Sequence, residues 1–367
     1  MIGNLKPSNI DFLHIGNKCN LNCLQCFYRE ESVTIINNRV SAEIEIAKKI
    51  INKFPDSAFF LYPMEITTSM EVGDVFPSIG QTSILSNGID LSYERIVSLK
   101  SNGIKQIKIT FFATFEEHSF FYHINKEQYN KIEEAIKMCR NLGVNVVVNN
   151  ILSKNTVNSI TKLARMCSDL GVDIIEFLRI KPIGNAERIV DDIWLDEGDL
   201  FQIIERVEYC KINFPNIYYR YNISLGVDFY GKSLNQAAEK VAAANSEWTK
   251  SRFLCPAIDG NYLGISMKTG NVYSCFFAMN FKDFTIGFFD FDELKICQLG
   301  GYFLSSSDIS ANLRGNCHID RCQYHSICLG GCRSTAFVFA LKRREQQPIF
   351  AGMDFCITKI KEKMYGL

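Results

Sequence analysis

Three absences narrow the field before any motif is read. The first is net charge: Lys+Arg and Asp+Glu both number 40, so the chain is formally neutral. It lacks the one-signed footprint of a nucleic-acid-binding or membrane-surface protein, and neither partner is expected. The second is a long apolar run, because none reaches the roughly 18 residues of a membrane-spanning helix. The start, MIGNLKPSNIDF, also has no apolar core of a secretory signal, so a cytoplasmic setting is expected. The third is repetition, since no internal repeat or low-complexity tract is visible.

Cysteine, in contrast, is plentiful, with 14 in 367 residues. Without an export signal a disulfide framework is the less expected use, since the cytosol keeps thiols reduced. Ten of the cysteines fall into spaced groups at 19–26, 255–275, 317–332 and 356. The other four, Cys139, Cys167, Cys210 and Cys297, are scattered and read as small buried hydrophobes. The grouped ten point to metal, most simply iron–sulfur.

Hydrophobic residues make up 47% and charged residues 22%, which suits a sizeable core and more than one domain. Strands are expected at 9–16, 58–62, 83–85, 104–112, 144–151 and 172–180. Helices are expected at 41–54 with Ser41 as N-cap, and at 92–101, 126–142 and 156–170. Gly143 and Gly171 stand as C-cap signals. Alternating strands and helices imply an α/β fold with a parallel sheet and right-handed crossovers. Six such units are too few for a closed eight-fold barrel, so a partial (β/α)6 TIM-like barrel is expected over 1–195. A helical connector is expected over 196–250, beginning with a long helix at 196–212. After 250 the periodicity weakens and cysteines dominate. A C-terminal cysteine-rich iron–sulfur domain, stapled by metal, is therefore expected over 251–367.

In barrels of this kind function gathers at the C-terminal ends of the strands. The loop of Cys19, Cys23 and Cys26 lies at such an end. So do Met64 and Glu65, the turn Ser86-Asn87-Gly88, Thr110 and Arg179. The C-x₃-C-x₂-C spacing supplies three thiolates where a [4Fe–4S] cluster normally takes four, which leaves one iron open. The alternative is a zinc site, which would need a remote fourth ligand to close it.

Cys19-Asn-Leu-Asn-Cys23-Leu-Gln-Cys26 resembles the signature of the radical S-adenosylmethionine (SAM) enzymes. The resemblance implies that the open iron binds SAM and that reductive cleavage yields a 5′-deoxyadenosyl radical. Glu65 matches the third position of the family's Gly-Gly-Glu-Pro, which here reads Pro63-Met64-Glu65-Ile66. Ser86-Asn87-Gly88 resembles its Thr-Asn-Gly turn. Thr110 stands where many peptide-modifying members carry a serine that meets SAM. Arg179-Ile-Lys-Pro-Ile-Gly184 resembles the end of the sixth strand. Met64, Glu65, Asn87, Thr110 and Arg179 are thus the expected SAM-binding residues. Gln25 replaces the usual aromatic before the third cysteine, and Tyr122 replaces an arginine that meets the SAM carboxylate.

The C-terminal groups resemble the SPASM extension of radical SAM peptide-modifying enzymes. They are Cys255, Gly270-Asn-Val-Tyr-Ser-Cys275, then Cys317-x₄-Cys322-x₅-Cys328-x₃-Cys332, and Cys356. The family's first spacing in the middle group is two residues, whereas here it is four. Carried over residue by residue, the resemblance implies one auxiliary cluster on Cys255, Cys275 and Cys332. It implies another on Cys317, Cys322, Cys328 and Cys356. The expected cofactors are therefore SAM and three [4Fe–4S] clusters, one SAM-binding and two auxiliary. The first auxiliary set has three thiols, and Cys297 is the nearby spare.

The resemblance implies an oxidoreductase acting on a ribosomally made peptide. It would form a carbon–carbon or thioether crosslink, with the auxiliary clusters taking the electron. Formylglycine-type sulfatase maturation is a second reading, but those members carry aspartate directly after the cysteine aligned with Cys275, where this chain has Phe276. Peptide epimerisation is a third reading, with Cys139, Cys167 and Cys210 as candidate hydrogen donors. A zinc- or cluster-stapled binding protein is the non-enzyme alternative. Expected partners are the peptide and an electron donor such as flavodoxin or ferredoxin. Eight residues precede the first strand, so no N-terminal recognition domain is expected. Leader recognition would fall to the barrel, the C-terminal domain, the connector or a separate leader-binding protein.

Overall fold

A computed structural model describes residues 7–16, 18–28, 39–221, 255, 257–279, 281–298, 305–314, 322, 325–352 and 356–366. The chain divides into two compact units. One comprises Met1–Ile15, Glu30–Tyr62 and Gly226–Lys359; the other comprises Gly16–Arg29, Pro63–Leu225 and Ile360–Leu367.

The second unit is built on a parallel sheet in the order β3-β4-β5-β6-β7. Its strands are β3 (Ser83–Ser86), β4 (Gln106–Thr110), β5 (Asn145–Leu152), β6 (Ile174–Arg179) and β7 (Tyr218–Tyr221). Every neighbouring pair among them is parallel. In chain order they alternate with helices at Tyr93–Ser101, Phe115–Tyr122, Lys126–Asn141, Ile160–Asp169 and Glu197–Asn213. Sequence patterning alone predicts this alternation. The helix Lys126–Asn141 begins with a capping box between Asn125 and Gln128 and buries Tyr129, Ile132, Ala135, Ile136 and Cys139 at helical spacing. Cys139, Cys167 and Cys210 are each 0% exposed on three of these helices, as small core hydrophobes should be. The stretch expected to be a helical connector begins with Glu197–Asn213 and then supplies β7, while 222–250 lies outside the described residues.

In the first unit, β1 (Asn9–Ile15) and β2 (Ala58–Pro63) belong to a six-stranded sheet, order β11-β10-β9-β8-β1-β2. Its other strands are β8 (Tyr262–Ser266), β9 (Asn271–Tyr273), β10 (Thr285–Asp290) and β11 (Lys295–Gln298). β1 runs parallel to β8, with Asn9 opposite Tyr262 and Leu13 opposite Ser266, while β8 to β11 form an antiparallel meander. The region after 250 therefore contributes to the core of this unit, with Leu263, Ile265, Val272, Phe284 and Phe289 at 0% exposure. All five residues of β8 are buried, so the strand shows no alternation for a sequence reader to find. The first helix, Val40–Lys53, starts one residue before Ser41. Ser41 therefore lies inside it, and Arg39 stands at the N-cap position without a side-chain capping bond.

Candidate functional site

In the second unit, Cys19, Cys23 and Cys26 lie on an irregular loop over 18–28, and all three are part-buried. Burial pushes the Cys19 thiol up to about 11, and charges at Glu65 and Cys26 push the same way. Burial also raises Cys23, followed by charges at Cys26 and Cys19. Three sulfurs that feel one another share one space. Thiols so disfavoured as anions give up their protons to a strongly cationic centre, which is how metal binding couples to thiol ionisation.

Three separate elements hold the loop. From the end of β3, the Asn87 side-chain amide donates to Asn20 Oδ1 at 2.7 Å and faces the Cys19 sulfur at 3.9 Å. From the helix Phe115–Tyr122, the Phe121 carbonyl accepts from the Leu24 N–H at 2.8 Å. From beyond β6, the Asn185 N–H donates to the Cys26 carbonyl at 3.0 Å. The Asn185 side chain donates to the Cys23 carbonyl at 3.0 Å and to Asn22 Oδ1 at 3.1 Å. Gly184, at φ +63°, lets the backbone approach: a Cβ there would lie 2.5 Å from the Cys26 carbonyl oxygen. Gly88, at φ +84°, clears a similar space against Ile109 and Ile132.

Glu65 is 2% exposed and its carboxylate gathers four protein donors. Oε1 accepts from the Ser86 hydroxyl at 2.7 Å, the Thr67 hydroxyl at 3.0 Å and the Thr67 N–H at 3.2 Å. Oε2 accepts from the Asn87 N–H at 2.7 Å. Burial raises its pKa against the pull of these bonds. Glu65 thus ties the segment after β2, which includes half-buried Met64, to the turn after β3.

Thr110 ends β4 opposite Asn149, and the row continues through Glu176 to Arg220 along one face of the sheet. Arg220 donates to Glu176 at 2.8 Å, and Lys108 stands 3.6 Å from the same carboxylate oxygen. The Oδ1 atom of Asn149 is buried without a hydrogen-bond partner among the described residues. Tyr122 is buried, meets Thr110 and Gln25, and feels the charges of Cys23 and Cys26. Two residues that depart from the family motif thus belong to the support of the thiol loop. Arg179 falls on the other face of β6 and stacks its guanidinium 4.4 Å from the Trp194 ring centre. The structure therefore groups Cys19, Cys23, Cys26, Glu65, Asn87 and, through Tyr122, Thr110, and it sets Arg179 apart from Thr110.

In the first unit, Cys255, Cys275 and Cys332 are 5%, 7% and 4% exposed. Burial pushes Cys255 up to about 12, and charges at Cys275 and Cys332 add to it. Cys255 thus feels both Cys275 and Cys332, although 77 residues separate it from Cys332. Cys275 also acts on Tyr262, beside Tyr62 and a buried Asp11 whose carboxyl burial holds well above its usual range. Cys322, Cys328 and Cys356 are part-buried, whereas Cys317 lies outside the described residues. Cys297 lies in β11 opposite Phe288. No described cysteine is in a disulfide.

Among the described residues, no three of His, Cys, Asp and Glu converge tightly enough for a single metal ion. A polynuclear cluster spreads its thiolates over several metals and does not need such convergence.

Comparison with solved structures gives the architecture. SuiB from Streptococcus suis, in complex with its precursor peptide SuiA, superposes with a TM-score of 0.63 over 95% of this chain and 75% of its own, at 14% identity. anSMEcpe with bound AdoMet superposes with a TM-score of 0.65 over 97% of this chain and 96% of its own, also at 14% identity. The chain shares the fold of SuiB and anSMEcpe. anSMEcpe with both AdoMet and the Cp18Cys peptide gives 0.61 over 98% and 96%, at 14% identity. No family model matches the sequence, and no curated protein matches it. No helix among the described residues is long and apolar enough to cross a membrane.

Proposed function

We propose that this chain is an enzyme that binds S-adenosylmethionine at the loop of Cys19, Cys23 and Cys26 and oxidises a peptide, joining two of its residues by a carbon–carbon or thioether bond. One observation carries the reading. A clipped three-thiol loop and a second, buried three-thiol set occur in one chain, on the fold of SuiB and anSMEcpe. SuiB binds a precursor peptide, and anSMEcpe binds AdoMet together with a peptide.

Bound together, S-adenosylmethionine and a [4Fe–4S] cluster supply a reductively generated radical that takes a hydrogen atom from an unactivated position. Cys19, Cys23 and Cys26 are the thiolates that would hold that cluster. Asn87 and Thr110 present polar groups beside the loop to orient S-adenosylmethionine. Met64 does so through its backbone, which Glu65 holds in place. Arg179, packed on Trp194, braces the end of β6, from which Gly184 and Asn185 hold the loop. Cys255, Cys275 and Cys332 would carry one auxiliary cluster, and Cys317, Cys322, Cys328 and Cys356 the other. An electron donor such as flavodoxin or ferredoxin, and a separate leader-binding protein, complete the partners of this reading.

Two observations favour crosslinking over its rivals. Phe276, directly after Cys275, stacks on Tyr62 at 4.8 Å and has no group to take a proton, which disfavours formylglycine formation. Cys139, Cys167 and Cys210 are sealed in the core at 0% exposure, which disfavours them as hydrogen donors for epimerisation. The test is anaerobic reconstitution with iron and sulfide, then incubation with S-adenosylmethionine, dithionite and the candidate peptide. The expected products are 5′-deoxyadenosine and a peptide lighter by two hydrogens. Absence of 5′-deoxyadenosine overturns the enzyme reading. An unchanged peptide mass in water, with deuterium uptake in D₂O, replaces crosslinking by epimerisation.

A further inference from the structure

The first turn of the helix Arg333–Lys342 runs against the usual distribution of polar groups. Arg333, Ser334 and Thr335 are consecutive and are 0%, 1% and 1% exposed. Burying a charge and two hydroxyls together is costly unless the interior provides partners. The Arg333 guanidinium is held by carbonyls. It donates to Gly330 at 2.6 Å, to Ala351 at 2.9 Å and to Gly331 at 3.4 Å. To turn those carbonyls inward, Leu329, Gly330 and Gly331 all adopt left-handed backbone, at φ +45°, +76° and +81°. A Cβ on Gly330 would stand 2.6 Å from the guanidinium, so that glycine is space cleared for it.

The same contacts run between cysteines. Residues 329–331 separate Cys328 from Cys332, and Ala351 lies five residues before Cys356. Cys332 is the N-cap of the helix that Arg333 begins, and the Ser334 hydroxyl lies 3.3 Å from the Cys332 sulfur.

We propose that Arg333 is a positioning residue for an iron–sulfur group on Cys255, Cys275 and Cys332, and that its buried positive charge raises the reduction potential of that group. This rests on the function proposed above. Uptake of one electron makes such a group one unit more negative, with no bond made or broken and no proton moved. A fixed cation in a low-dielectric interior stabilises the reduced form more than the oxidised one. Cluster potentials follow local charge and hydrogen bonds to the sulfurs. The electron comes in turnover from the substrate radical, which is oxidised as it gives the electron up, and from dithionite in the test.

The test uses the full chain carrying Cys19→Ala, Cys23→Ala and Cys26→Ala, so that only the C-terminal groups contribute. This protein and its Arg333→Met and Arg333→Lys forms are reconstituted, assayed for iron and sulfide, and titrated with dithionite while the EPR signal is followed. The expected result is full iron in Arg333→Met with one reduction step moved to more negative potential, and a step near the parent's in Arg333→Lys. Full iron and an unmoved step in Arg333→Met overturn the proposal. If Arg333→Met loses iron, Arg333→Lys decides. Retained iron supports a role for the charge; equal loss makes the guanidinium a scaffold only and overturns it. A parent protein that takes up no iron brings down the auxiliary-cluster reading itself, an outcome distinct from any failure of the variants.

Discussion

Replacing Gly184 by alanine isolates the contact on which the thiol loop leans. The residue sits at φ +63°, and an added Cβ would stand 2.5 Å from the Cys26 carbonyl oxygen and 2.9 Å from Phe27 Cα. Two costs follow. A non-glycine residue in the left-handed region costs about 1 kcal/mol. Forcing backbone apart in a packed contact adds about 1–3 kcal/mol. The loop can evade the second cost by moving away, but it then gives up the Asn185 bonds to Cys26, Cys23 and Asn22, worth about 1 kcal/mol each. Either way the expected loss is about 2–4 kcal/mol, by the same estimates of strain and overpacking. Gly80 provides the control. Its φ is +65° and nothing lies within 4 Å of a Cβ built there, so Gly80→Ala carries the strain without the clash. Urea unfolding of both variants, with iron content after reconstitution, is the assay. Gly184→Ala should lose clearly more stability than Gly80→Ala and should bind less iron. Equal losses, with iron unaffected in both, would refute the claim that Gly184 makes room for the loop.

Two further substitutions probe the same unit. His118 is 0% exposed among the rings of Phe112, Tyr122 and Tyr129, and burial holds its pKa down to about 3, so the folded state keeps it neutral. The unfolded chain takes up that proton as pH falls below about 6.5, so the stability present above 6.5 is lost progressively toward pH 3, by about 2 kcal/mol at pH 5. His118→Leu should flatten this slope in urea titrations across pH 4–7, and parallel slopes in the two proteins would count against it. Glu65→Ala leaves the buried Ser86 hydroxyl and Asn87 N–H without their acceptor and should cost about 3 kcal/mol in urea unfolding. Glu65→Gln, which keeps an acceptor, should cost less, and an alanine variant as stable as wild type would remove Glu65 from this role.

Much of the second unit was legible because its signals are local. The expected strand 144–151 is Asn145–Leu152, and the expected helix 126–142 is Lys126–Asn141. Both rest on periodicity and caps that act within a few residues. The pairing of β1 with β8 joins residues about 250 positions apart, and nothing in either strand names its partner. Tyr122 and Gln25 read in sequence as departures from a motif. Only in three dimensions do they meet beside Cys23. Asn185 was missed for a related reason: an asparagine after a Pro-Ile-Gly turn is an ordinary loop residue until its amide is seen on the Cys23 carbonyl.

The three anchors of the thiol loop also impose an order in time. They come from residues 87, 121 and 185, so the last clip is synthesised about 160 residues after Cys26. At a translation rate of about 5–20 residues per second, that delay is roughly ten to thirty seconds. Throughout it, the loop has its sulfurs but not its mould, and thiolates left accessible are what oxidants attack first. On the function proposed above, loading the loop with iron would fall to the finished unit rather than to the growing chain.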